Sequence, residues 1–110
     1  MRRAAIYDGW SPFPASHAVA TATRTADMSS IETLADAIAR FRAIARPDAD
    51  VCFTPFSHPA YKDVVDPVAF AAEARELAAI GVTWIAFHLP APSPSEFCAT
   101  VAAFGREVVG

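Results

Sequence analysis

The sequence predicts an α/β fold made of three strand–helix units with parallel strands. Three observations carry this. Strand and helix patterns alternate along the whole chain. The last strand candidate, Val82 to Leu89, is a nearly unbroken apolar run, as expected of a strand covered on both faces in a parallel sheet. Each long helix pattern opens on a capping signal. The order strand, helix, strand, helix, strand, helix calls for parallel strands joined by right-handed crossovers.

Composition narrows the function classes. A chain of 110 residues allows one domain. With 54% hydrophobic and 19% charged residues it is not a disordered or solvating segment. That apolar content is high for so short a chain, because a small domain has little interior; contact with further segments or a partner is expected. The net charge of −3 and the single lysine, Lys62, argue against nucleic acid as a partner. No apolar run approaches the roughly 18 residues a membrane-spanning helix needs. The N-terminus has no signal-peptide stretch. Cys52 and Cys98 lack CxxC or histidine spacing, so no disulfide framework or metal site is expected and a reduced, cytoplasmic setting is the default.

The elements follow in order. Met1–Ala5 reads as a helix end and Ile6–Trp10 as the first strand. Residues 11 to 28 form a long connection with Pro12, Pro14 and a Thr/Ala-rich tract; loops of this length are commonly functional. A helix is expected from Ser29, where Ser29 and Glu32 have capping-box spacing. Ile31, Leu34, Ile38 and Phe41 then recur on one face, Arg40, Arg42 and Arg46 suit the C-terminal end of the helix dipole, and Pro47 ends the segment. Val51–Phe56 is the second strand. Asp66 caps the next helix with Pro67 at its first position, Phe70, Ala74 and Leu77 form its buried stripe, and Gly81 is a left-handed terminator. After the third strand, Ser93-Pro94-Ser95-Glu96 combines a capping box with proline, and Phe97, Val101, Phe104 and Val108 mark the last amphipathic helix.

Chemistry in such sheets sits beyond the C-terminal ends of the strands. That rule selects Trp10–Phe13, Thr54–His58 and Phe87–Pro90. In the last strand, alternation separates Val82, Trp84, Ala86 and His88 from Thr83, Ile85, Phe87 and Leu89. The bulkier second set suits the helix side, which leaves Trp84, Ala86 and His88 facing away from it. His88 is placed to hydrogen-bond a ligand or exchange a proton near neutral pH; the competing reading is a histidine satisfied at a strand end. Trp10 either walls a planar ligand or packs in the core, and Phe13 and Phe56 share that ambiguity. Arg24, among Thr21, Thr23 and Thr25, is either an anion-binding guanidinium or a solvated loop residue. His58, with Ser57, Pro59 and Tyr61, reads as a lid residue or an exposed loop histidine. Ser57 and His58 are adjacent, and no elbow glycines flank the serine, so they do not read as a nucleophile and its base. His17 has no partner spacing.

These segments resemble the luciferase-like monooxygenase family, particularly its F420-dependent branch. The matching stretches are Arg2-Arg3-Ala4-Ala5 with Tyr7-Asp8-Gly9-Trp10, Ser11-Pro12-Phe13-Pro14, Thr23-Arg24-Thr25-Ala26, Asp50 to Phe56, Gly81-Val82-Thr83-Trp84, and His88-Leu89-Pro90 with Ser95-Glu96-Phe97. The resemblance implies a (β/α)8 TIM barrel, of which residues 1–110 form one partial domain, the sixth to eighth strand–helix units. It implies an oxidoreductase that uses coenzyme F420, or FMN as the alternative, for hydride or oxygen transfer on a small-molecule substrate. The implied pocket and cofactor contacts are Trp10, Arg24, Phe56 and His88, with Arg24 meeting the anionic tail of the coenzyme. The family usually carries a Gly-Gly turn shortly before the segment matching Arg2-Arg3, and that turn helps hold the cofactor phosphate. The rival expectation is a non-enzymatic assembly element that associates, with itself or a separate N-terminal half, through an open barrel face and open strand edges.

Overall fold

The computed structural model describes residues 2–57, 66–89 and 92–109. It has a three-stranded parallel sheet in chain order: β1 (Gly9–Trp10), β2 (Asp50–Phe53) and β3 (Trp84–Ile85). The registers are Gly9 with Asp50, Trp10 with Val51, Cys52 with Trp84, and Phe53 with Ile85. Helix α1 (His17–Thr23) and helix α2 (Ile31–Arg42) lie between β1 and β2 in the chain, α3 (Pro67–Ala79) precedes β3, and α4 (Pro94–Phe104) follows it. The mixed α/β class with parallel strands is as expected.

The strands are shorter than the apolar patterns suggest, because a strand extends only as far as its neighbour pairs with it. Ala4–Ile6 is a 3-10 turn, closed by the Tyr7 N–H donating to the Ala4 carbonyl, in place of the start of a strand. Pairing begins where the Asp50 N–H reaches the Asp8 carbonyl. β2 stops at Phe53, not Phe56, since Pro55 has no N–H and the Phe56 and Ser57 N–H groups donate to Glu73 of α3 instead. β3 has only two residues of the eight expected. The last ladder bond is from the Ala86 N–H to the Phe53 carbonyl.

The helix signals fare better. Asp66 caps α3 by accepting from the Val68 and Ala69 N–H groups, with Pro67 in the first turn. Ser93 caps α4 and donates from its hydroxyl to Glu96. The capping box of α2 is displaced by one residue: Ser30 and Thr33 form it, not Ser29 and Glu32. The Ser29 N–H is already engaged by the Asp27 carboxylate, which leaves Ser30 as the residue flanking the helix. The expected loop over 11–28 holds a helix of its own, α1, capped by Ser16. The segment around it is clasped by paired backbone bonds between Ala15 and Met28, both buried.

One face of the sheet is covered. Val51 and Phe53 of β2 pack with Leu34, Ile38 and Phe41 of α2 and Leu77 of α3 in a single core. Ile85 borders it, and Val82, just before β3, is buried within it rather than on the Trp84 side. A second cluster joins Phe70, Phe87 and Phe104 edge-on or tilted, with ring centroids 4.8–4.9 Å apart. Phe97 and Val101 of α4 are exposed, so only Phe104 of its apolar stripe is buried. Gly9 lies so close to β2 that a Cβ on it would stand 3.0 Å from the Asp50 carbonyl oxygen.

The opposite face is open. Asp50 and Cys52 point away from the core, and Trp84, across from Cys52, is 63% exposed. Ala86 and His88 are exposed too. The chain's accessible surface is 7247 Å², against about 5,900 Å² for a folded monomer of this mass. Its radius of gyration is 15.2 Å, where about 13 Å is usual for this length.

Candidate functional site

Beyond β1 the chain builds a cleft of about 390 Å³. Its walls are Trp10 at the strand end, Ser11–Phe13 leaving it, Ala15 and Met28 at the clasp, and Arg24–Ala26 returning from α1. Sequence order explains the closure. Pro12 is buried and turns the chain away from the sheet, Ser16 starts α1, and the Ala15–Met28 bridge brings residues 24–26 back over Trp10.

Trp10 serves two purposes here. Its ring tilts against Phe41 of α2 at 5.2 Å between centroids and 37°, which is core packing. It also lines the cleft. Arg24 ends α1 in the left-handed conformation, with φ 53° and ψ 39°, and its N–H donates to the Ala20 and Thr21 carbonyls. A non-glycine residue there carries a modest steric cost. The threonine hydroxyls expected around Arg24 are mostly engaged elsewhere. Thr21 and Thr23 donate back to the His17 and Val19 carbonyls, at 2.8 and 2.7 Å, and Thr23 pairs with Thr25 at 2.8 Å. Ser11 and Thr25 are the hydroxyl residues of the lining.

His17 lies on the rim of this region, 3.4 Å from Asp27. Asp27 also accepts from Ser29, and those Ser29 hydrogen bonds, ahead of His17, hold its carboxyl below the usual range. Among the described lining residues none is an Asp, Glu or His. The cleft therefore offers a flat aromatic wall, one guanidinium and two hydroxyls. It is equipped to bind a planar or anionic group, and it carries no proton-transfer pair.

The other two candidates sit elsewhere at the same end of the sheet. Phe56 is three residues past β2. Its ring meets Phe53 edge-on at 5.0 Å, and its N–H donates to Glu73. Glu73 also takes the Ser57 N–H at 3.0 Å and the Ser57 hydroxyl, so one carboxylate ties the β2 exit to α3. His88 is three residues past β3. It lines an open groove of about 500 Å³ with Leu89, Ser93, Pro94, Phe97 and Cys98. The four expected contacts thus divide, with Trp10 and Arg24 in one cleft, Phe56 at the Glu73 clamp and His88 in the second groove. His58, its neighbours Pro59 and Tyr61, and Lys62 and Pro90 fall outside the described residues.

Sequence reasoning missed three contributors: α1, the Ala15–Met28 clasp and Glu73. The Ser16 cap four residues before Ala20 was a usable signal for the first. The clasp and the Glu73 bonds are tertiary and leave no local mark. Among the described residues, no three His, Cys, Asp or Glu side chains gather as metal ligands, and no helix is long and apolar enough to cross a membrane. Cys52 and Cys98 are free thiols. Set against models of known protein families, curated proteins and solved structures, the chain finds no match in any of the three.

Proposed function

We propose that this chain supplies the C-terminal strand–helix units of a luciferase-like oxidoreductase barrel, and that its Trp10–Arg24 cleft holds part of a reduced deazaflavin or flavin coenzyme, F420 before FMN. The observation that carries the reading is positional. Trp10 ends β1, and Phe56 and His88 each follow the next strands by three residues. All three lie at or just beyond the C-terminal ends of parallel strands, where α/β enzymes assemble their sites.

The residues present fit one end of such a coenzyme. Trp10 and Phe13 offer aromatic surface, Arg24 can pair with a phosphate or carboxylate of the tail, and the Ser11 hydroxyl can donate to it. The coenzyme, when bound, supplies hydride or oxygen transfer on a small-molecule substrate. This chain's residues bind and orient it and keep water from one side. With no acid or base in the described lining, the chain's contribution in this cleft is binding rather than proton transfer.

Titration of the purified chain with F420 and with FMN, followed by coenzyme fluorescence, tests the reading. Saturable binding that weakens roughly tenfold or more in Arg24→Ala is expected, since a charge-assisted hydrogen bond contributes about 1.5–3 kcal/mol. No binding of either coenzyme up to millimolar concentration would remove it. A second reading is favoured by Trp84 at 63% exposure on the uncovered sheet face. In it the chain is a non-enzymatic assembly element that acts through that face.

A further inference from the structure

We infer that the Trp10–Arg24 cleft takes a compact aromatic carboxylate, its ring against Trp10 and its carboxylate on the Arg24 guanidinium; the assignment rests on the cleft being a ligand site, as proposed above, and not on which coenzyme the chain holds.

The walls select a flat ring. Trp10 is half-buried and braced by Phe41, with 5.2 Å between ring centroids. The indole is thus fixed before a ligand arrives, and little order is lost on binding. Phe13 lines the same cleft and is 63% exposed. A large aromatic side chain left in water at a cleft gains from a ligand that covers it. Ala15 and Met28 are buried and make the inner wall apolar.

Arg24 supplies the charge. It lines the cleft, and its guanidinium forms no hydrogen bond or ion pair with any described residue. Its backbone, at the end of α1, is left-handed, with φ 53°. Among the described residues no other non-glycine has a positive φ. Glycine adopts this conformation freely and is the usual residue just past a helix end. An arginine held there against that preference, with its charge unpaired in a cleft, points to a ligand.

Size and charge narrow the class. A volume of about 390 Å³ lies at the low end of ligand pockets, which run roughly 300–1,000 Å³. One guanidinium matches one negative charge, and a carboxylate meets its fork through two parallel hydrogen bonds. The Ser11 hydroxyl is in the same lining. A phosphate dianion would bring a second charge with no second cation in the described lining, on a chain of net charge −3. Asp27, beside the lining, is engaged elsewhere: its carboxylate accepts from the Ser29 N–H and faces His17 at 3.4 Å.

Fluorescence of Trp10 in a Trp84→Phe background, read during titration with benzoate, tests the proposal. Saturable binding is expected, with a Kd of about 1 mM or tighter, as so small a ligand allows. Benzamide, flat but uncharged, should bind about tenfold more weakly or worse. Cyclohexanecarboxylate, charged but not flat, should lose about threefold or more. Arg24→Gly should lose about tenfold or more in benzoate affinity while its thermal midpoint stays equal or rises, because glycine relieves the left-handed turn. A lowered midpoint with affinity intact would mark a structural arginine and overturn the proposal. No saturation by benzoate up to about 10 mM overturns it, as does benzamide or phenyl phosphate binding as tightly as benzoate. Displacement separates it from the coenzyme reading. If F420 binds and benzoate neither binds nor displaces it, the aromatic carboxylate is ruled out and the oxidoreductase reading stands. If benzoate binds as described and F420 does not, the carboxylate site stands and the coenzyme reading falls.

Discussion

Truncating Phe41 to alanine tests how the first strand is held to the rest of the chain. Phe41 is fully buried in α2, among the core residues of β2 and α3, and its ring supports Trp10. Burying a phenylalanine removes on the order of 150–250 Å² from water, which at about 25 cal/mol per Å² is about 4–6 kcal/mol as an upper figure. Measured Phe→Ala losses in cores run about 3–5 kcal/mol, the residual cavity included. A domain of this length has about 5–15 kcal/mol in total, and a sheet with one bare face belongs low in that range. Phe41→Ala should therefore move the urea midpoint down by about 2 M, taking a slope of about 1.5–2 kcal/mol per M. The assay is urea unfolding followed by circular dichroism, and by Trp10 fluorescence in a Trp84→Phe background. Phe41→Leu should lose less than half as much. A midpoint shift below about 0.5 M for Phe41→Ala would refute the packing described for Trp10 and α2.

Further expectations concern the turns, the caps and acid. Gly81 has φ 103°, and a Cβ there would meet Ile38 Cγ2 at 3.4 Å; Gly81→Ala should cost about 1–3 kcal/mol by thermal unfolding, and no loss would contradict the left-handed turn before β3. Ser30→Ala removes the capping box of α2 and should cost about 1 kcal/mol, whereas Ser29→Ala should cost distinctly less; equal losses would contradict the displaced cap. Glu73→Ala frees the Phe56 and Ser57 N–H groups and should speed their hydrogen exchange well before global unfolding. Arg46 bonds Asp48 at 2.8 Å and Asp8 at 2.7 Å, and the Arg46 hydrogen bond holds the Asp48 carboxyl below its ordinary value. A depressed folded value means stability that is present above the unfolded carboxylate range and is lost as pH falls through it, so chemical denaturation from about pH 5 to about pH 3 should show a shallower loss in Arg46→Gln than in wild type.

The helices were legible in the sequence because their signals are local. Asp66-Pro67, Ser93-Pro94 and Gly81 each act through bonds within a few residues, and the structure uses all three. The stripe Leu34, Ile38 and Phe41 was legible because a helix repeats its buried face in a fixed period. Strand lengths were not, because apolar runs record burial while strand ends record pairing. Val82–Leu89 is a nearly unbroken apolar run, yet its ladder ends where β2 meets Pro55 and Glu73. Trp84 shows the same limit from the other side: alternation put it on the non-helix face, but no local pattern says what covers that face. The candidate site was half legible. Trp10 and Arg24 meet in one cleft because of the Ala15–Met28 clasp, a contact between residues thirteen apart with nothing distinctive about either. Phe56 and His88 were chosen by the same strand-end rule. They lie at the correct end of the sheet but in separate surroundings, since a strand end specifies a level and not a pocket.

The most direct test of the account is a nitrogen–proton correlation spectrum of the labelled chain during titration with F420. The account predicts progressive shifts at the Trp10 indole N–H, at Arg24 and at Thr25, with the Trp84 indole unmoved. Shifts confined to Trp84 and its neighbours, or none at all at millimolar coenzyme, would contradict it.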